Sequence, residues 1–292
     1  MPLDTANITS ATPASCRVEY NSRDLIIYAL ALGCKDPRYI YEQDADFAAF
    51  PTYPIVLIYK GTSYDTSNWP APMEVTFAWP VFEGFRYGLD AGKVIERLKE
   101  VPSTGANLVM EGRYQSVQKK PGGALVERLW RLMDDSGEVY YRMVDVSFLV
   151  GATNFTESGV TLSQLTSVPA SPPTFYTEVD TLETTSALYR LSGDYNPLHI
   201  DPVVAQKAGF EQPILHGQCT MGIVTRAVLD LVAHGDQRRF RRVQVRFSSP
   251  VIPGQTLSVE IWALAPTEYA FQAKVKETDR LCVSNGLLVL DA

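Results

Sequence analysis

The sequence predicts an α+β protein made of two copies of one unit, each a helix wrapped by an antiparallel sheet. Three observations carry this. The second half holds one long apolar helical stretch followed by four β-rich stretches joined by short turns, the pattern of a meander rather than of crossovers. The first half repeats that order less clearly. Matched segments then recur about 160 residues apart, with Gly33-Cys34-Lys35-Asp36-Pro37-Arg38-Tyr39-Ile40 against Gly193-Asp194-Tyr195-Asn196-Pro197-Leu198-His199-Ile200. In the same order follow Phe50 against Phe210, and Pro54-Ile55-Val56 against Pro213-Ile214-Leu215. Arg97-Leu98, Gly105, Leu108 and Glu111 then match Arg246-Phe247, Gly254, Leu257 and Glu260.

The first unit, 1–150, is expected to hold a helix over about 22–33 and strands near 93–100, 106–118, 124–133 and 138–150. Residues 151–174, rich in Thr, Ser and Pro, read as a linker. In the second unit, 175–292, Asp180-x-x-Glu183 resembles a capping box opening a short helix that ends near Leu191, with Gly193 just past it. Asn196-Pro197 signals a turn. Asp201-Pro202 supplies an N-cap and first residue for another short helix, closed by Gly209. From Gly217 to His234, Met221, Val224, Ala227, Val228, Leu231 and Val232 recur at helical spacing, and Gly235 ends the run. Strands follow near 240–248, 255–264, 268–277 and 281–290, separated by Pro253-Gly254, Pro266 and Thr278-Asp279.

Composition narrows the function. A chain of 292 residues that is 46% hydrophobic is long enough for a large core and too apolar for disorder. Its net charge of −7 argues against a nucleic-acid partner. No apolar run reaches the roughly 18 residues of a bilayer span, and Met1 to Ser15 does not look like a secretory signal. The four scattered cysteines (Cys16, Cys34, Cys219, Cys282) fit a reduced, intracellular protein. The end Leu290-Asp291-Ala292 is no peroxisomal address of the SKL type.

Only three histidines occur, His199, His216 and His234, all in the second unit. His234, at the expected helix end, suits the helix dipole and reads as structural. Asp194 and His199 flank a Gly/Asn/Pro turn, which can aim a carboxylate and an imidazole at one water for general acid–base work worth roughly 10²–10⁴ in rate. A capping Asp and a core-packed His would satisfy the same residue types. The first unit decides between them, because Cys34 and Tyr39 stand at the matching positions while the Gly and Pro of the turn remain. The pair is therefore an addition for chemistry. Gly217 opens the long helix, where unpaired amides favour negative charge and one donor is worth roughly 2.7–4 kcal/mol to a transition state.

The run from Leu188 through Asp201-Pro202, with Gly209-Phe210 and Pro213-Ile214-Leu215-His216-Gly217, resembles the hydratase-2 motif of MaoC-like (R)-specific enoyl-CoA hydratases. Pro250-Val251-x-Pro253-Gly254-Gln255-Thr256 is similar to the same family, and the likeness extends weakly over the chain as its two-repeat type. The resemblance implies a double hot-dog fold that hydrates trans-2-enoyl-CoA to (3R)-3-hydroxyacyl-CoA without metal or other cofactor. It implies Asp194 and His199 as the catalytic pair, their acid and base roles unassigned, and the Gly217 amide as the oxyanion donor. Tyr195, Asn196, Pro197, Leu198, Lys119, Phe247 and Arg246 are implied substrate or CoA contacts, with the first repeat shaping the acyl pocket. A homodimer is implied too, in peroxisomes if the source is eukaryotic and otherwise in the cytoplasm. The chain departs from the pattern at Asp90-Ala91, where relatives often carry His-Gly.

Arg238, Arg239, Arg241, Arg242 and Arg246 cluster in one stretch, and one or two of them facing CoA phosphates would explain the excess. Rival readings are weaker. His199, Asp201 and His216 as metal ligands compete with Asp201 as a helix cap. His216-x-x-Cys219 puts its thiol inside an apolar helix. Gly88-x-x-x-Gly92-Lys93 is one residue short of a P-loop. A 3-hydroxyacyl-thioester dehydratase and a non-catalytic acyl-CoA binder remain the alternatives within acyl-thioester proteins.

Overall fold

The computed structural model describes residues 1–67, 80–233 and 236–292. Strands β1 (Ala14–Asn21), β2 (Tyr87–Arg97), β3 (Gly105–Lys120), β4 (Gly123–Met133) and β5 (Val139–Val150) belong to the first half. The two-residue β6 (Ser158–Gly159) precedes β7 (Phe175–Asp180), β8 (Phe240–Phe247), β9 (Thr256–Ala265), β10 (Glu268–Val275) and β11 (Arg280–Leu290). They form one 11-stranded sheet in the order β1-β3-β4-β5-β2-β8-β11-β10-β9-β7, with β6 on β3. Every pairing of named strands is antiparallel.

Read inward from either edge, the order is the same: first, third, fourth, fifth and second strand of each half. The duplication therefore shows as a pseudo-twofold between β2 and β8, where Gly92–Glu96 pairs with Arg242–Arg246. Gly92 is required at this seam, since a Cβ there would lie 2.6 Å from the Val245 carbonyl oxygen.

Among the described residues the α-helices are α1 (Ala6–Thr9), α2 (Ser22–Ala31), α3 (Pro37–Ile40), α4 (Leu57–Lys60), α5 (Thr185–Tyr189), α6 (Pro202–Lys207) and α7 (Gly217–Val232). α7 is the helix read from the sequence. It buries Met221, Ile223, Val224, Val228, Leu229 and Val232 against strand residues such as Val243, Ile261, Phe271 and Val283. Each such side chain contributes about 1.5–3 kcal/mol by leaving water. Asp201 caps α6 by accepting from the Val203 and Val204 amides, with Pro202 at its first position. α2 begins with a reciprocal box between Asn21 and Asp24. The core is continuous across the halves, and Tyr28 of α2 meets Tyr189 of α5 with ring centroids 5.7 Å apart.

Several expectations change. The helix expected over 22–33 is real but is the counterpart of short α5. The segment matching α7 is the four-residue α4, where buried Ile58 occupies the place of Gly217. Asp180 does not cap a helix. It ends β7, and its Oδ1 accepts from the Thr256 hydroxyl at 2.8 Å because pairing with β9 extends the strand to that residue. β1 and β7 were not anticipated as strands; both are short edge strands, and β7 abuts the linker. His234 and Gly235 lie outside the described residues. The linker crosses the sheet, its backbone clipped by Glu127 to Leu162 and Ser163, by Gln244 to Gln164 and by Asn285 to Thr166.

Candidate active site

The site grows from the backbone between α5 and α6. After the 3₁₀ turn Arg190–Ser192 the chain passes through Gly193 at φ +128°, pressed so close to Lys60 that a Cβ would sit 2.6 Å from the Lys60 Cβ. Asn196 then caps the 3₁₀ turn Pro197–His199 by accepting from the Leu198 amide at 3.0 Å. Its own amide donates to Asp194 Oδ1 at 3.3 Å. Two local hydrogen bonds thus orient Asp194 and His199, which are only 6% and 9% exposed.

His199 Nδ1 lies 2.9 Å from the Ile214 carbonyl oxygen and donates to it, which leaves the Nε2 lone pair available. His216 stacks on His199 with centroids 3.7 Å apart and planes 30° apart. Its Nε2 donates to the Asp194 carbonyl oxygen at 3.2 Å. Burial pushes the Asp194 carboxyl up, against the pull of His199, the Asn196 amide and Lys93. Burial pushes His199 down, partly opposed by Asp194 and Ile214, and drives His216 well down with help from the charge of His199. The two members of the dyad so approach each other in proton affinity, which suits passing a proton between them.

His216 is also the N-cap residue of α7, and Gly217 takes the first helical position. Its amide has no partner within the helix and carries the positive end of the dipole. The face of Gly217 looks onto Phe247, whose ring would lie 3.4 Å from an added Cβ. Asp194, His199 and Gly217 open on one cleft of about 530 Å³, with Asn196, Leu198 and Phe247 also in its wall.

Among the other expected contacts, Tyr195 is buried beneath Arg190 at 5.2 Å and Pro197 only shapes the turn, so neither lines this cleft. Lys119 sits exposed near the β3–β4 turn with its ammonium 5.8 Å from the Phe155 ring, away from the cleft. Arg246 is exposed and neighbours Phe247 on β8, and strand alternation sends the two to opposite faces. Most of the arginine cluster is engaged within the protein. Arg238 meets Asp236 and Asp46, Arg239 the Asp291 carbonyl oxygen, Arg241 meets Glu96, and Arg242 meets Gln244. At the positions matching the dyad, Cys34 and Tyr39 line a second cavity of about 650 Å³, with the buried thiol of Cys34 pushed up to about 12.

Two features escaped the sequence. The sequence offers His216 as a metal or thiol-pair candidate and as part of the motif, but not as the ring stacked on His199. Lys93, Arg128 and Asp145 gather from three strands, and nothing local links them. Asp194, His199 and His216 do bring ligand atoms within 4.8 Å of one another, with Asp194 in the place expected of Asp201. His199 Nδ1 and His216 Nε2 are each already committed to a backbone carbonyl oxygen, which leaves one nitrogen per ring for any ligand.

Fold and cleft define a two-repeat protein with a buried carboxylate–imidazole pair and a helix N-terminus facing one cleft in its second repeat. Residues 18–151 match the MFE-2 hydratase 2 N-terminal domain, and residues 164–285 match the MaoC like domain. A peroxisomal multifunctional enzyme type 2 of Drosophila melanogaster is 38% identical over 93% of this chain, which spans 46% of that relative's length. A probable enoyl-CoA hydratase 2 of Dictyostelium discoideum is 30% identical, with 94% of this chain and 92% of that protein covered. The crystal structure of a MaoC-like dehydratase from Phytophthora capsici superposes with a TM-score of 0.91 at 35% identity, covering 97% of this chain and 96% of that one. The chain belongs to the MaoC-like enoyl-CoA hydratase 2 family, and its fold is the double hot-dog.

Proposed function

We propose that this chain is a hydro-lyase that adds water to trans-2-enoyl-CoA to give (3R)-3-hydroxyacyl-CoA, the same groups serving the reverse dehydration. The observation that carries it is the Asp194–His199 pair facing the cleft beside the free amide of Gly217. In this reading His199 Nε2 takes a proton from the bound water, whose oxygen forms the new bond to the β-carbon. The double-bond electrons move toward the thioester oxygen, and the Gly217 amide stabilises the enolate. The pair returns one proton to the α-carbon, so it ends as it began.

Water supplies both groups that are added, the hydroxyl and the hydrogen, and the substrate is neither oxidised nor reduced overall. The reaction therefore needs no redox cofactor, and the proposal includes no metal. Peroxisomal relatives support a peroxisomal setting if the source is eukaryotic, and a homodimer is the assembly proposed from the family.

The test is loss of the conjugated-thioester absorbance of crotonyl-CoA, with chiral analysis of the product. Folded Asp194→Ala and His199→Ala variants should both be inactive. Wild-type rates in both would overturn the dyad, and an (S) product would overturn the stereochemistry.

A further inference from the structure

We propose, resting on the hydratase reading above, that Lys93, Arg128 and Asp90 form a polar subsite selecting an acyl chain with a hydroxyl group near its thioester end. Around Asp194 and His199 the second repeat lines the cleft with apolar and neutral polar groups, among them Phe210, Ile214, Val251, Gln218 and Ser249. The first repeat instead presents Asp90, Lys93, Arg128 and Ser147 beside Phe85 and Leu89. Lys93 is 2% exposed, with Nζ 2.8 Å from Asp145 and 3.2 Å from Asp90. Asp145 also accepts from Trp130 Nε1 at 2.9 Å and from Arg128 at 3.4 Å. Asp145 is thus the buried anchor that fixes both cations against the cleft.

Asp90 differs from Asp145. Its side chain is 38% exposed, so it can turn toward a ligand or toward water. Two cations and two carboxylates balance, so an added anion finds no uncompensated charge. A neutral hydroxyl meets both needs at once, donating to Asp90 and accepting from Lys93. A bare alkyl chain laid on this wall would strip water from charged groups and return no hydrogen bond. Asp90 and Lys93 line the same cleft of about 530 Å³ as Asp194, His199 and Gly217, which puts the subsite close to the reacting carbons.

The experiment compares kcat/KM for trans-2-octenoyl-CoA with that for the same chain hydroxylated at each carbon from C4 outward, and with an ω-carboxylated chain. Wild-type protein should favour one hydroxylated position close to C4 by about tenfold over the plain chain, the worth of one satisfied hydrogen bond. The carboxylated chain should gain nothing. Lys93→Met and Asp90→Ala should each bring the hydroxyl-to-plain ratio toward one, and a ratio cancels any change common to all substrates.

A wild-type preference for the plain chain over every hydroxylated form would overturn the proposal even if both variants fail to fold. So would equal losses for all thioesters in the variants, which would place the cluster on the shared CoA arm. A gain with the carboxylated chain instead would overturn the neutral-hydroxyl assignment. Absence of turnover with crotonyl-CoA as well would show that the hydratase reading itself had failed.

Discussion

At the dyad, what matters is which nitrogen of His199 is committed. Nδ1 is held by the Ile214 carbonyl oxygen, so Nε2 is the nitrogen left for the proposed proton transfer. His199→Gln or Asp194→Asn should lower kcat by roughly 10²–10⁴ in an absorbance assay while leaving the circular dichroism unchanged. The pH profile gives a sharper test. Asp194 favours the protonated form of His199, so its removal lowers the imidazole's proton affinity further. The acid limb of residual activity in Asp194→Asn should then move to lower pH; a move to higher pH would contradict a His199 base. His216 adds a stability effect. Burial holds its folded pKa well below 6.5, so the unfolded chain takes up a proton that the folded chain refuses. That contribution is present above about pH 6.5 and is lost as pH falls toward the folded value. The urea midpoint of the wild type should therefore fall more steeply with acidification than that of His216→Phe.

Among elements, α7 links stability to chemistry. Gly217 stands at its first position, where proline is accepted by the helix and lacks an N–H, and His216 before it already has the extended ψ of 133° that a following proline requires. Gly217→Pro should fold yet lose about 10²–10³ in kcat, the cost of one oxyanion donor. Retention of the wild-type rate would remove Gly217 from the site. At Gly193 the outcome is opposite in kind. Alanine there would strain a φ of +128° and press on the Lys60 backbone, so Gly193→Ala should lose about 1–3 kcal/mol in chemical denaturation along with activity.

For the whole molecule, the join between β2 and β8 makes two repeats into one sheet and brings Lys93 to the second repeat's cleft. Gly92→Val places a side chain against the Val245 carbonyl oxygen, where an added Cβ would be 2.6 Å away. The expected loss is about 1–3 kcal/mol, visible as a drop of several degrees in Tm. Activity per folded molecule should fall as well, because β2 supplies one wall of the site. An unchanged Tm would mean that the seam adapts.

Much of this was legible in the sequence wherever the cause was local. The turn around Asn196-Pro197 fixed Asp194 and His199 through bonds spanning two residues, Asp201-Pro202 announced α6, and apolar spacing announced α7. Cys34 and Tyr39, standing where the second repeat has Asp194 and His199, distinguish the two repeats. Other features depend on partners far along the chain. One or two of the clustered arginines are expected to face CoA phosphates; Arg241 and Arg238 are instead tied to Glu96 and Asp236, and Arg246 stays exposed. The pairing of Lys93 with Asp145 spans 52 residues and follows from the register of β2 on β5. By itself the sequence determined the repeat, the turn that pairs Asp194 with His199 and the helix α7, because each arises from short-range backbone geometry. Only the tertiary structure decided that His216 stacks on the dyad and that a charged wall faces it, because sheet register and the central seam bring together residues with no local relation.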